Sequence, residues 1–387
     1  MAFLVLLLTL MGRKINLSER LLLKESLNLS NFGHVILLLK RIFKYTLLFE
    51  IIGALLLTTQ FVPEYGLSKG LFYSVFHSIS AFCNAGIDIL GDTSFIRYSD
   101  NPIISITIMS LIIIGGLGFT VWVDIEDAIK KRMKDKLSYR KLIRELTLHT
   151  KLVIITTLLL LITGTLLIFC FEYNNITTMA NNSISEKLLK SAFQSTTLRT
   201  AGFATINQNE MTTVSKLISI CYMFVGGSPG STAGGIKNVT ILVILLLVIT
   251  YMKDREKVNI FKRNIPQSAL RRAIVVFAIS IFIVIIATIA LLLSETFLKE
   301  EMLSSNLAEF YTVSFMDVIF EVVSAFGTVG LSLGITPTLT MTGKIIIILL
   351  MIIGRLGPVT MSIALFKKSK EKKESTLNYP AETILIG

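Results

Sequence analysis

The sequence predicts an all-α integral membrane protein, assembled from repeated units of span, re-entrant stretch and span. Three observations carry that prediction. Of its 387 residues, 52% are hydrophobic and 17% charged, and the mean hydropathy is +0.71. A soluble chain carries about 25% charged residues. The charge is gathered in short blocks between long apolar runs, as spans separated by loops require. A small-residue motif also recurs three times in similar register. The net charge of +12 therefore calls for no nucleic acid partner. Cys83, Cys170 and Cys221 stand in apolar or small-residue surroundings without metal-type spacing, so they imply no disulfide framework.

Residues 1–12 come first, where a short apolar run is followed by Gly12-Arg13-Lys14. A signal peptide has its basic residues before the apolar run, so this segment reads as the cytoplasmic end of a span. Full spans are expected over 36–62, 102–123, 152–171, 273–294 and 342–365. A sixth, over 213–251, is interrupted by a run of glycine, serine and proline between Gly226 and Gly235. Half-apolar stretches near 70–86, 186–202 and 315–330 are too short and too polar to cross, and re-entrant segments are expected there. The units are then 13–130, 131–260 and 261–366, with a tail over 367–387.

Basic residues set the orientation. Of 38 lysines and arginines, 28 fall in 13–44, 124–151, 252–272 and the tail, against six in 59–101, 172–212 and 296–340. That bias places both termini in the cytoplasm, so the re-entrant stretches enter from outside.

Those stretches align with one another. Phe76–Gly86 and Phe320–Gly330 both read F-x-x-x-S-A-F-x-x-x-G, and Thr196–Phe203 keeps the small-residue ending. The three close as Asn84-Ala85-Gly86, Thr200-Ala201-Gly202 and Thr328-Val329-Gly330. A glycine cluster follows each: Gly115-Gly116 begins 29 residues after Gly86, Gly226-Gly227 24 after Gly202, and Gly354 24 after Gly330. Glycines scattered for helix packing do not explain a shared register. A short helix followed by an extended glycine-containing strand turns backbone carbonyls toward an axis. There they replace the hydration shell of a monovalent cation. The glycine is required where the backbone leaves ordinary φ/ψ space.

With His77–Gly86, Thr196–Phe203, Gly226–Lys237, Ser324–Ser332 and Gly354–Thr360 in view, the chain resembles the Trk/Ktr/HKT superfamily of potassium transporters. It is most similar to the Ktr-type membrane subunit of bacteria. The resemblance covers essentially the whole sequence. It implies four span–pore loop–span units around a central ion pathway, three of them visible here. Gly86, Gly202 and Gly330 would be the filter glycines of the second to fourth units. K⁺ would be the transported ion, with Na⁺ as the candidate coupling ion, and no cofactor would be bound covalently. A homodimer on a cytoplasmic nucleotide-binding regulatory subunit is implied as well, with the plasma membrane as location.

The same resemblance makes Gly226, Gly227, Ser228, Gly230, Ser231, Thr232, Gly234 and Gly235 an intramembrane gate loop below the filter, with Arg355 as its cationic partner. The residues agree: this run cannot hold a helix, and broken backbone at membrane depth must line a cavity or lie buried in protein. An arginine deep in a span costs at least about 2.5 kcal/mol, so a functional or paired role is expected of Arg355. Lys237 is expected at the interface and Lys344 as an anchor. Arg199 either acts on the outer mouth or pairs with a carboxylate. Asp88 and Asp317 are loop carboxylates that could draw cations. His34, His77 and His149 lack metal spacing, and His77 reads as structural. No nucleophile–base set, nucleotide loop or zinc motif points to an enzyme.

One repeat step back from Gly86 falls before Met1. The first unit's outer span and filter are thus expected outside this sequence, as in a fragment, a misassigned start or a disrupted gene. Serine at that first filter position goes with Na⁺ transport in the family, and three glycines here favour K⁺. Cys83 stands where the family usually has a polar residue. A broken-helix secondary transporter of another solute and a non-transporting membrane remnant remain as alternatives.

Overall fold

The computed structural model describes residues 35–91, 93–136, 138–303 and 314–357. Residues 1–12, His34, Pro358–Thr360 and the tail over 367–387, all discussed above, lie outside these. The chain is helical, in three units of long helix, short helix and capped apolar helix. In the first, α1 (Val35–Tyr65) leads to α2 (Leu67–Phe82), α3 (Pro102–Gly116) and α4 (Phe119–Asp135), followed by the short α5 (Tyr139–Glu145). In the second, α6 (Leu148–Glu172) leads to α7 (Ile184–Thr197), α8 (Thr213–Phe224) and α9 (Asn238–Met252). The third is α10 (Gln267–Leu303), α11 (Phe315–Gly327) and α12 (Met341–Leu356).

Among the described residues three helices are long and apolar enough to cross a membrane, or four if a bent pair counts as one span. Only 22% of α10's most apolar window is buried, and Leu55, Ile162 and Phe282 are exposed on the long helices. Such faces suit lipid rather than water. The short helices lie in the interior instead. Ala81 and Phe82 of α2 pack with Phe193 of α7, and Phe320 and Phe326 of α11 pack with Met223 of α8.

Each unit ties its third helix to its first in the same way. Asn101, Thr212 and Thr340 are the N-caps of α3, α8 and α12, accepting from Ile104 N (3.2 Å), Ser215 N (3.2 Å) and Gly343 N (3.1 Å) respectively. Each is also held by the end of the preceding long helix. Asn101 donates to Gln60 Oε1 (2.8 Å), and the Thr212 and Thr340 hydroxyls donate to Glu172 Oε1 (2.9 Å) and Glu295 Oε1 (2.8 Å). Satisfying a helix start from a neighbouring helix fixes the angle between the two. From each cap to its glycine (Asn101 to Gly115, Thr212 to Gly226, Thr340 to Gly354) is 14 residues.

Two features differ from the sequence expectation. The span over 102–123 is not one helix: α3 and α4 meet at 92° across Leu117-Gly118. The carbonyls of Gly115 and Gly116, which would continue the helix, instead accept from Thr232 N (3.3 Å) and Ser228 N (3.0 Å). Phe119 N donates to Gly230 O (2.9 Å), so the 226–235 segment takes over the helix end. The basic loop 252–272 contains a small hairpin, Asn259–Ile260 paired with Arg263–Asn264. Phe261 and Lys262 have φ of 50° and 60°, the primed turn that two-residue hairpins favour.

Candidate functional site

Helices α2, α7 and α11 end just before Asn84, Thr200 and Thr328. These three residues adopt left-handed φ of 48°, 68° and 52°, and Gly86, Gly202 and Gly330 follow at 66°, 91° and 92°. Non-glycine residues take positive φ rarely, so three repetitions of the same pair mark a shared backbone design. The intervening amide turns back to its own helix: Ala85 N to Ser80 O (2.9 Å), Ala201 N to Thr197 O (3.0 Å) and Val329 N to Ser324 O (2.8 Å). That leaves the carbonyls to face the neighbouring strands. A Cβ built on Gly86 would collide with the Ala201 carbonyl oxygen, and one on Gly202 with that of Val329. The three glycines thus stand side by side, and a Cβ on Gly330 would lie 3.7 Å from Gly202 Cα.

Three helix C-termini aim at one place and bring partial negative charge to it. Below the glycines, Asn84 Oδ1, Thr200 Oγ1 and Thr328 Oγ1 are buried without a hydrogen-bond partner among the described residues, as is the Asn84 Nδ2 donor. Most buried polar atoms are satisfied. Equivalent orphan oxygens in three units suit a desolvated cation.

The glycine-rich segment packs against this cluster. Val225 and Ile236 pair in parallel at its neck, and Gly226 N donates to Ile236 O (2.8 Å). Thr232 Oγ1 donates to the Phe82 carbonyl at the end of α2 (3.1 Å). Gly234 lies so close to Thr328 Oγ1 that a Cβ there would overlap it. Ser231 Oγ bonds Ser228 O (2.7 Å), and Ser228 Oγ accepts from Asn238 Nδ2 (3.1 Å). Gly227 is boxed in by Ala233 Cβ, the Gly116 carbonyl and Ser231 Oγ. A helix in this segment would have no room beneath the three strands.

The family model described as TrkH, cation transport protein, matches residues 1–376. The chain belongs to the TrkH family. Relatives agree along its whole length. It is 37% identical over 383 residues to the potassium/sodium uptake protein NtpJ of Enterococcus hirae, covering 99% of this chain and 79% of that protein. It is 38% identical over 387 residues to the Ktr system potassium uptake protein B of Bacillus subtilis, covering 100% and 80%. The fold matches the crystal structure of the potassium transporter TrkH from Vibrio parahaemolyticus, with a TM-score of 0.67 at 18% identity. That match covers 89% of this chain and 68% of the other.

Within this TrkH-family chain the basic residues depart from expectation. Lys237, assigned to the interface, donates from Nζ to Ala233 O (2.7 Å) inside the loop. Arg355 sits in the last turn of α12 near Lys237 and Cys83, and its exposed side chain makes no hydrogen bond to the loop among the described residues. Arg199 meets no carboxylate among the described residues. It is buried, and its guanidinium donates to Thr157 Oγ1 (3.4 Å). Thr157 Oγ1 in turn accepts from Asn238 Nδ2 (3.3 Å), next to the loop. Asp317 caps α11 through a capping box with Ser314, and Asp88 accepts from Leu90 N (3.3 Å). Glu186 does the same service for α7, and the Ser183 N–H holds its carboxyl below the usual range.

Proposed function

We propose that this chain carries K⁺ across the plasma membrane through a filter formed by Asn84–Gly86, Thr200–Gly202 and Thr328–Val329–Gly330. The observation that carries the reading is the convergence of three glycine strands, each at positive φ, above three equivalent unpartnered oxygens. Carbonyls replace the hydration shell, and the side-chain oxygens take the ion as it leaves the strands. The segment Gly226–Gly235, with Lys237 as its internal tie and Arg355 as a nearby cation, acts as the gate beneath. A cation at this level opposes K⁺ passage until the loop moves.

The names of the relatives, uptake proteins for potassium or for potassium and sodium, support K⁺ as cargo and leave Na⁺ as the coupling ion. The designation of one relative as part of a Ktr system supports a partner. In this reading a homodimer sits on a cytoplasmic nucleotide-binding subunit, with the basic loops and both termini on that side. The test is growth of a host lacking K⁺ uptake at low external K⁺. Rescue by the chain, lost on Gly202→Ser, is expected. Rescue that survives Gly202→Ser removes the filter assignment.

A further inference from the structure

Behind the three strands stand three side chains outside the filter and the gate. Each follows a phenylalanine on its short helix: His77 after Phe76, Gln194 after Phe193 and Glu321 after Phe320. All three are buried. Each bonds the chain that continues past its filter glycine. Nδ1–H of His77 donates to Tyr73 O (2.7 Å), which fixes the neutral tautomer and leaves Nε2 to accept from Ile89 N (3.3 Å). Gln194 and Gln208 exchange two amide bonds (2.6 and 3.0 Å). Glu321 accepts from Ser332 Oγ (2.8 Å) and from Thr336 Oγ1. One turn further along the same faces, Ser80 and Thr197 donate to the carbonyls that follow the first two glycines, Ile87 O and Phe203 O (both 2.6 Å).

His77 and Glu321 precede their glycines by nine residues and Gln194 by eight. The offset has a structural cause. Ala85 and Val329 bond back five residues, whereas Ala201 bonds back four, so the second unit is one residue shorter between helix and strand. Imidazole, amide and carboxylate occupy one position with three charge characters. What they share is a hydrogen bond to the outward-going chain.

In the size-fit account of selectivity, a carbonyl ring sized for K⁺ keeps its preference while its strands resist closing on the smaller Na⁺. We propose that His77, Gln194 and Glu321 are specificity-determining positioning residues that pin the outer ends of the three strands. This rests on the reading of those strands as a filter. The bonds hold each strand from behind, at its far end, while the helix amide bonds hold its near end.

Thermal unfolding of the purified full chain in detergent tests this without relying on transport. KCl or NaCl is titrated at ionic strength held constant with choline chloride, since a bound ion stabilises in proportion to its occupancy. The wild type is expected to be protected by less K⁺ than Na⁺. Gln194→Leu and Glu321→Leu are each expected to narrow that preference about tenfold, the low end of what two buried hydrogen bonds are worth. Glu321→Gln, which still accepts from both hydroxyls, retains most of it. Should Glu321→Leu fail to fold, the pair Ser332→Ala with Thr336→Val cuts the same bonds from the loop side and is read in its place. Variants that melt earlier yet keep the full K⁺ preference overturn the proposal. A wild type that does not distinguish the ions removes the filter reading, and this inference with it.

Discussion

Gly86 and Gly202 press against one another: a Cβ on Gly86 would stand 2.9 Å from Gly202 Cα, and one on Gly202 would stand 3.2 Å from Gly86 Cα. Among the described residues a Cβ on Gly330 would lie 3.7 Å from Gly202 Cα. Gly86→Ala and Gly202→Ala are expected to abolish Rb⁺ uptake. Gly330→Ala, at a φ of 92°, carries the left-handed backbone cost of about 1–2 kcal/mol and is expected to lower uptake as well. Uptake at the wild-type level in Gly86→Ala or Gly202→Ala would argue against the close packing of these strands.

Lys237 holds the loop closed on itself through the Ala233 carbonyl. Lys237→Met removes a charge-assisted bond and is expected to raise basal Rb⁺ efflux from proteoliposomes about tenfold. Arg355→Met leaves that bond in place but removes the charge that opposes K⁺ passage, so it should also raise the leak, by lowering the barrier rather than by freeing the loop. A Lys237→Met protein as tight as the wild type would separate the loop from gating.

Gly115 and Gly354 hold equivalent places, each against the last carbonyls of its own short helix, Phe82 O and Phe326 O. A methyl group at either forces the helices apart, at a cost of about 1–3 kcal/mol or more. Gly115→Ala and Gly354→Ala should each lower the yield of monodisperse protein in size-exclusion chromatography. A normal elution profile for either would argue against the close approach.

The caps Thr212 and Thr340 are held by Glu172 and Glu295. Thr212→Val and Thr340→Val each remove an N-cap and a tie between helices, at about 1–2 kcal/mol. The two lie in different units and should add in the double variant. Thermal melts that show strong non-additivity would mean that the units do not fold as separate ties.

Much of this arrangement was legible in the sequence because glycine spacing survives where side chains vary. The three endings at Gly86, Gly202 and Gly330 and the break between Gly226 and Gly235 follow from composition and register alone. The bend at Leu117-Gly118 was not legible. Its cause is the loop's amides capturing the carbonyls of Gly115 and Gly116, a contact 110 or more residues distant in sequence. The bracing residues were hidden for another reason. Aligning the strands on their glycines sets Gln194 one place out of step with His77 and Glu321, so their common position shows only in three dimensions. Lys237 was misplaced because charge next to an apolar run usually marks an interface. Here the neighbouring glycines leave room for its chain to fold back.

The constant interval of 14 residues from cap to glycine bears on how the three units diverged. Gly86 to Asn101 spans five more residues than Gly202 to Thr212 or Gly330 to Thr340, so the whole length difference fell on one side of the cap. The additional chain carries Ile96–Tyr98, places Phe95 N on Ala204 O (3.0 Å) and pairs Asp100 with Lys190 (2.9 Å). Descent from a common duplicated ancestor would leave this pattern. The added chain lies where it gains contacts with the next unit; between cap and glycine, one added residue would turn the helix end by about 100° away from its partner carbonyl.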